Sequence, residues 1–257
     1  MEREIEKVDV LYVVGGGSLI VDDELRYSLR CLAKNAKNLG RVIISGNIPE
    51  WVSNEVVKVP CCDISVSGKH WNMLHKIEEG IVHANIRGDF LVSSDDHFIT
   101  KPFNLVEWPR YTRGEIYDEE GCVAIYGHAP SKYQRSICAT RRLLEKNGLE
   151  KEWTCWHGNT WLNAYDMNEV RRLADSDRAG SVYGYEPTLL YTAVRLKKCP
   201  SLIFQKLTSD VKASNPSDAI NLAETRGMFS TSDKAWMNGK LKIWLNKTYG
   251  EKCEYER

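Results

Sequence analysis

The sequence predicts an α/β protein: a mostly parallel sheet flanked by helices, with a more helical second part. Three observations predict it. Short apolar runs alternate with helix-period stretches between Val8 and Val92. Two of those runs end in chemistry-bearing loops, Gly15–Gly16–Gly17–Ser18 and Ser94–Asp95–Asp96–His97. Beyond Pro102 helical spacing prevails. Strand, helix, strand in such alternation implies parallel strands joined by crossover helices.

The elements follow in order. Val8 to Val14 is a buried strand, ended by the glycine run. Asp22–Asp23–Glu24 opens a helix through Leu25, Leu29 and Leu32, with acids at its positive end. Arg41 to Ser45 is a second strand, Gly46–Asn47–Ile48–Pro49 a turn, and Val56 to Val59 a third strand. His70 to Ala84 is a helix, carried by Leu74, Ile77, Ile81 and Ala84 and stopped by Gly88. Asp89 to Val92 is a strand that runs into the Asp95 cluster. Helices are expected over Gln134–Glu145, Met167–Leu173 and Pro187–Leu196, with a loop over Ala179–Gly184. A last amphipathic helix is expected over Trp236–Tyr249, with Leu241, Trp244 and Leu245 on one side. No repeat or linker interrupts the chain. A single domain over 1–257 is expected, with a nucleotide-binding half (1–105) and an acceptor-binding half (106–257).

The 257 residues carry 42% hydrophobic and 27% charged side chains, enough for a real core. Formal net charge is zero, so no general attraction to nucleic acid or anionic membrane is indicated. No apolar run approaches the roughly 20 residues that span a bilayer, so membrane insertion is not expected. Met1–Glu2–Arg3–Glu4 is charged without an apolar core behind it, which predicts a cytoplasmic protein. The eight cysteines, Cys31, Cys61, Cys62, Cys122, Cys138, Cys155, Cys199 and Cys253, include no Cys-x-x-Cys pair. They read as reduced, mostly buried thiols rather than a zinc site.

Asp95–Asp96–His97 is the most informative local feature. Two carboxylates at one strand end repel each other unless a cation sits between them. Oxygen ligands suit Mg²⁺ or Mn²⁺, and an imidazole favours Mn²⁺. Asp95 and His97 are therefore the expected metal ligands, with Asp96 contacting metal or sugar. The bland reading is an acidic turn that caps the next segment. Gly15, Gly16, Gly17 and Ser18 would let backbone N–H groups approach a phosphate or base; the alternative is a plain turn, since no P-loop or full G-x-G-x-x-G pattern is present. His128 and His157 are candidates that satisfied structural histidines would equally explain. Trp156, beside His157, offers a stacking wall or core. Glu186, just before Pro187, is either a general base or a helix-terminal carboxylate.

At these residues the chain resembles the Stealth family of capsular-polysaccharide-type sugar-phosphate transferases, and more broadly the Rossmann-like GT-A class of nucleotide-sugar transferases. Val8–Tyr12 through Gly17–Ser18 resembles the family's first block. Asp23–Arg30, Arg41–Ser45, Ile48–Trp51, Trp71–Asn72 and Phe90–Ile99 resemble the second, His128–Pro130 the third and Tyr249–Tyr255 the last. The resemblance is dense from Val8 to Ile99 and patchy beyond. It implies nucleotide, metal or catalytic roles for Arg26, Asn72, Asp95, Asp96 and His128. Gly16 stands where the family's first block carries an acid, and Asp95–Asp96–His97 is similar to the Asp-x-His metal motif of some GT-A enzymes. Glycosyl transfer is therefore favoured over sugar-phosphate transfer.

The expected protein is a metal-dependent glycosyltransferase. Its donor would be a nucleoside-diphosphate sugar and its cofactor Mn²⁺ or Mg²⁺. Its acceptor would be a hydroxyl, on a polysaccharide or on a modified base in phage DNA. Lys69, Arg26 or His157 would face the diphosphate, and Glu186 would deprotonate the acceptor. The competing readings are a Stealth-type sugar-1-phosphate transferase and an inactive nucleotide- or glycan-binding module.

Overall fold

The computed structural model describes residues 6–16, 23–66, 68–154, 158–207 and 211–257. Its centre is a five-stranded sheet. In chain order the strands are β1 (Val8–Val14), β2 (Leu39–Gly46), β3 (Val57–Pro60), β4 (Asp89–Ser94) and a later strand, Thr160–Asn163. Between them run helices α1 (Asp23–Asn35) and α2 (Lys69–His83). β1 pairs in parallel with β2, Leu11 opposite Ile43, and with β4, Leu11 opposite Val92. β2 pairs in parallel with β3. Strand Thr160–Asn163 then adds antiparallel to β4, Thr160 opposite Val92. The spatial order is therefore Thr160–Asn163, β4, β1, β2, β3.

Alternation along β1 explains the two faces. Leu11 points to one side, into a cluster with Ile43, Leu74, Ile77, Phe90 and Leu162. Val10, Tyr12 and Val14 point to the other, with Leu25, Leu29, Leu32 and Ile44. Helix α2 covers the first face so closely that a Cβ on Gly80 would lie 2.6 Å from Leu11 Cδ1. Helix α1 covers the second; its Asp23 and Glu24 start and Lys34 end suit the helix dipole.

A second strand pair frames the end of the sheet. β5 (His97–Ile99) follows β4 after a two-residue turn. After α3 (Glu119–Tyr126), α4 (Lys132–Lys146), β6 (the Thr160–Asn163 edge strand), α5 (Met167–Asp175), α6 (Pro187–Lys198) and α7 (Pro216–Thr225) comes β7 (Met228–Thr231). β7 pairs antiparallel with β5, Ser230 opposite His97. Helix α8 (Lys240–Tyr249) packs Leu241 and Leu245 with Tyr27, Phe98, Phe229 and Trp236.

Several expectations are corrected here. The terminal helix starts at Lys240, not Trp236, because Gly239 takes φ +70°, a left-handed conformation that breaks the run. Trp236 ends a separate short turn instead. Helices α3 and α7 and strand β6 were not expected. Of the cysteines, Cys31, Cys122 and Cys138 are buried, Cys61, Cys199 and Cys253 half-buried and Cys62 exposed, so burial is less general than expected; Cys155 lies outside the described residues. Among the described residues no helix is long and apolar enough to cross a membrane.

Candidate functional site

The strand order fixes where a ligand crevice lies. Chain connections leave β1 toward β2 on one side and return to β4 on the other. The region outside the carboxyl ends of β1 and β4 is thus the topological switch point of the sheet, where doubly wound α/β folds bind ligands. Gly15 and Gly16 follow β1 there, and Asp95 and Asp96 follow β4. Both glycines are exposed. Nothing lies within 4 Å of a Cβ built on Gly15, and one on Gly16 would meet only the Asn47 amide, at 3.7 Å. Gly46 is needed nearby for a different reason: with φ +120°, any Cβ would sit 2.1 Å from Val14 O.

The acidic turn is held from behind by β7. The Thr231 N–H donates to Asp96 O at 3.1 Å. The Thr231 hydroxyl donates to Glu24 Oε1 at 2.9 Å and receives the Trp236 indole N–H at 3.0 Å. Glu24 thus joins Asp95 and Asp96 as a third carboxylate, buried at 6% exposure. Sequence reasoning saw Glu24 only as a helix-dipole partner. Its role depends on Thr231, far along the chain, and no local pattern marks it.

Electrostatics agree with crowding of negative charge. Burial, then Asp95, Asp96 and Asp233, push the Glu24 carboxyl up to about 8. Burial and the charge of Asp96 raise Asp95 to about 6, while Lys69, at the start of α2, pulls it back. Lys69 is exposed, and its charge acts on Asp95.

His97 is held by the turn that it closes. Its Nδ1 accepts the Ser94 N–H at 3.3 Å. The neutral ring must then carry its proton on Nε2, which faces Asp96 Oδ1 at 3.6 Å. Burial lowers its pKa, while Asp96 and a hydrogen bond with Asn159 act against that. A ring held in this way turns Nε2 toward Asp96 and helps to orient that carboxylate. Asn159 is a further residue that sequence reasoning missed. It is 5% exposed and accepts the Ser93 hydroxyl at 2.8 Å.

Other expected residues serve the fold. Arg26 pairs with Glu256 Oε2 at 2.5 Å, its guanidinium 4.1 Å from the Trp51 ring centre. Asn72 is buried and holds the segment 61–66: its Oδ1 accepts the Ile64 and Ser65 N–H groups, and its Nδ2 donates to Ser65 O at 2.8 Å. Glu186, 2% exposed, caps α6; it accepts the Leu189 N–H at 2.8 Å and the Thr188 hydroxyl at 2.6 Å. A carboxylate spent in this way is the helix-terminal one of the two readings its sequence context offers. His128 lies just beyond α3, exposed, with Nδ1 2.9 Å from Ala129 O. Gly17, Ser18, Trp156 and His157 lie outside the described residues.

Among the described residues no three His, Cys, Asp or Glu side chains converge as a preformed metal cage. That still suits Mg²⁺, which is commonly held by one or two carboxylates with the remaining positions filled by substrate phosphates and water. Asp95 and Asp96 are adjacent carboxylates, and the charge of Asp96 raises the Asp95 carboxyl.

No family model matches the sequence, and no curated protein matches it. Among solved structures, the chain is similar to the apo-form glycosyltransferase GlyE of Streptococcus pneumoniae TIGR4, with a TM-score of 0.42 and 10% sequence identity. The likeness covers 94% of this chain and 60% of that one, so this chain spans less than two thirds of that protein's length.

Proposed function

We propose that the protein is a metal-dependent glycosyltransferase acting on a nucleoside-diphosphate sugar. The observation that carries this reading is the placing of Asp95 and Asp96 at the switch point of the sheet, opposite Lys69 and beside the open Gly15–Gly16 turn. The glycines leave room for ribose or base. Lys69 would pair with diphosphate oxygens. Asp95 and Asp96 would hold Mg²⁺ or Mn²⁺, which supplies positive charge against the leaving diphosphate. His97 keeps Asp96 oriented, and Thr231 keeps the turn in place. The acceptor is a hydroxyl, of a glycan or of a modified base in DNA.

The test is a screen of nucleotide sugars with Mn²⁺ or Mg²⁺ that identifies the nucleotide released. Nucleoside diphosphate is expected, lost in Asp95→Asn and Asp96→Asn variants that remain folded. Nucleoside monophosphate would instead assign sugar-phosphate transfer. No release, together with no thermal stabilisation by any nucleoside diphosphate at saturation, would refute the transferase reading.

A further inference from the structure

Helix α3 has only eight residues. A helix so short keeps its shape through what it packs against. Asp118 caps it by accepting the Gly121 N–H at 2.7 Å, and Gly127, at φ +68°, ends it. Glu119 ties it to α4 through an exposed ion pair with Arg142 at 2.8 Å. Among its described side chains Cys122 alone is buried, at 2% exposure, while Val123 and Ile125 are exposed. The Cys122 Sγ lies 3.7 Å from the Cys138 Sγ, on α4. Cys138 is itself buried, and its neighbours Ile137 and Ala139 belong to the larger core cluster. Helix α4 is therefore firmly seated, and α3 rests on it through one thiol against another.

Bonded sulfurs stand about 2.05 Å apart, so an approach of under about 2 Å joins this pair. Burial, and then Cys122 itself, push the Cys138 thiol up to about 12, so Cys138 rests as a thiol while α3 is seated. Lifting α3 uncovers Cys122 and the side of Cys138 that it covers. We propose that Cys122 and Cys138 are a reversible dithiol–disulfide pair, oxidised by a low-molecular-weight disulfide, and that the bond latches α3 onto α4. One protein thiolate attacks a sulfur of the small disulfide and expels a small thiolate. The second protein thiolate attacks the protein sulfur so joined, and the other small thiolate leaves. The protein gives up two protons and two electrons, and the small disulfide becomes two thiols. The joined residues lie 16 apart in sequence, so the bond also closes the segment that carries His128 into a loop.

The experiment equilibrates the full chain in glutathione buffers, from fully reduced to fully oxidised, and maps its thiols by mass spectrometry. The exposed Cys62 reports, through its glutathione adduct, that the oxidant is effective. The expected product joins the Cys122 and Cys138 peptides with loss of two hydrogens. In that form backbone hydrogen exchange over α3 should slow tenfold or more, with β1 and β4 unchanged. Cys122→Ser and Cys138→Ser should each abolish the cross-link and the α3 response. Separate glutathione adducts on Cys122 and Cys138, a cross-link that prefers another cysteine, or thiols at both positions while Cys62 is modified would overturn the proposal. So would a Cys122–Cys138 bond that leaves α3 exchange unchanged. The wild-type measurements decide the matter by themselves should either variant fail to fold.

Discussion

Glu24→Gln tests the acidic cluster without touching the fold. The substitution removes one charge and keeps an oxygen for the Thr231 hydroxyl. In the folded protein Glu24 titrates near 8, raised first by burial and then by Asp95; its ordinary value is 4.5. Between these values the folded protein keeps a proton that the unfolded chain has lost. Stability therefore falls as pH rises through this window, and below pH 4.5 both states are protonated and the effect vanishes. By pH 7 the cost approaches roughly 3 kcal/mol, and above pH 8 roughly 5 kcal/mol, both as upper bounds. Removing it should raise the melting temperature by about 5–10 °C at pH 7. The assay is thermal denaturation in EDTA at pH 4 to 9. Glu24→Gln should match the wild type at pH 4 and gain progressively above pH 5. Melting curves that run parallel across the whole range would refute the placing of Glu24 against Asp95 and Asp96.

Three further outcomes are expected. Lys69→Met should weaken nucleoside-diphosphate binding by about tenfold to a hundredfold, the scale of one charged hydrogen bond, with melting temperature unchanged; calorimetric titration checks it, and unaltered affinity would remove Lys69 from the site. Glu186→Gln should leave turnover within about twofold, whereas Glu186→Ala should cost about 1–2 kcal/mol of stability through loss of the α6 cap; a large rate loss in the Gln variant would restore a catalytic role. Glu256→Gln should destabilise by about 1–3 kcal/mol, because it removes the charge from the Arg30 pair, bonded at 2.6 Å and 2.9 Å, while Arg30 keeps the Tyr249 and Gly250 carbonyls. Burial works against the Glu256 charge, but Arg30 and Arg26 hold its carboxyl below its usual value. That contribution is present at neutral pH and disappears as pH falls through the lowered value, which urea titrations at pH 7 and pH 3 would show.

The sheet was legible because its strands are nearly continuous apolar runs closed by glycines or acids. β1, β2, β4 and helix α2 match their sequence bounds within two residues, and α1 runs three residues past its last expected position. β6 was not legible. Thr160–Trp161–Leu162–Asn163 has too few residues to show a period, and only pairing with β4 makes it a strand. The site divides in the same way. Asp95 and Asp96 announce themselves by following a strand. Glu24 and Asn159 gain meaning only from distant partners, Thr231 and Ser93. Asn72 and Glu186 were ambiguous in the sequence because amides and carboxylates satisfy backbone donors as readily as they bind ligands.

The edge strand has a consequence for how the chain assembles. β1 to β4 and their two helices lie within the first 94 residues and can associate as the chain emerges from a ribosome. β4 is then an open edge, with unpaired backbone groups on an apolar strand, until Thr160–Asn163 has been made. At ordinary synthesis rates of roughly 5–20 residues per second, that interval lasts several seconds. Nascent chains stalled inside it should recruit chaperones and pair with one another, and chains released just beyond Asn163 should not.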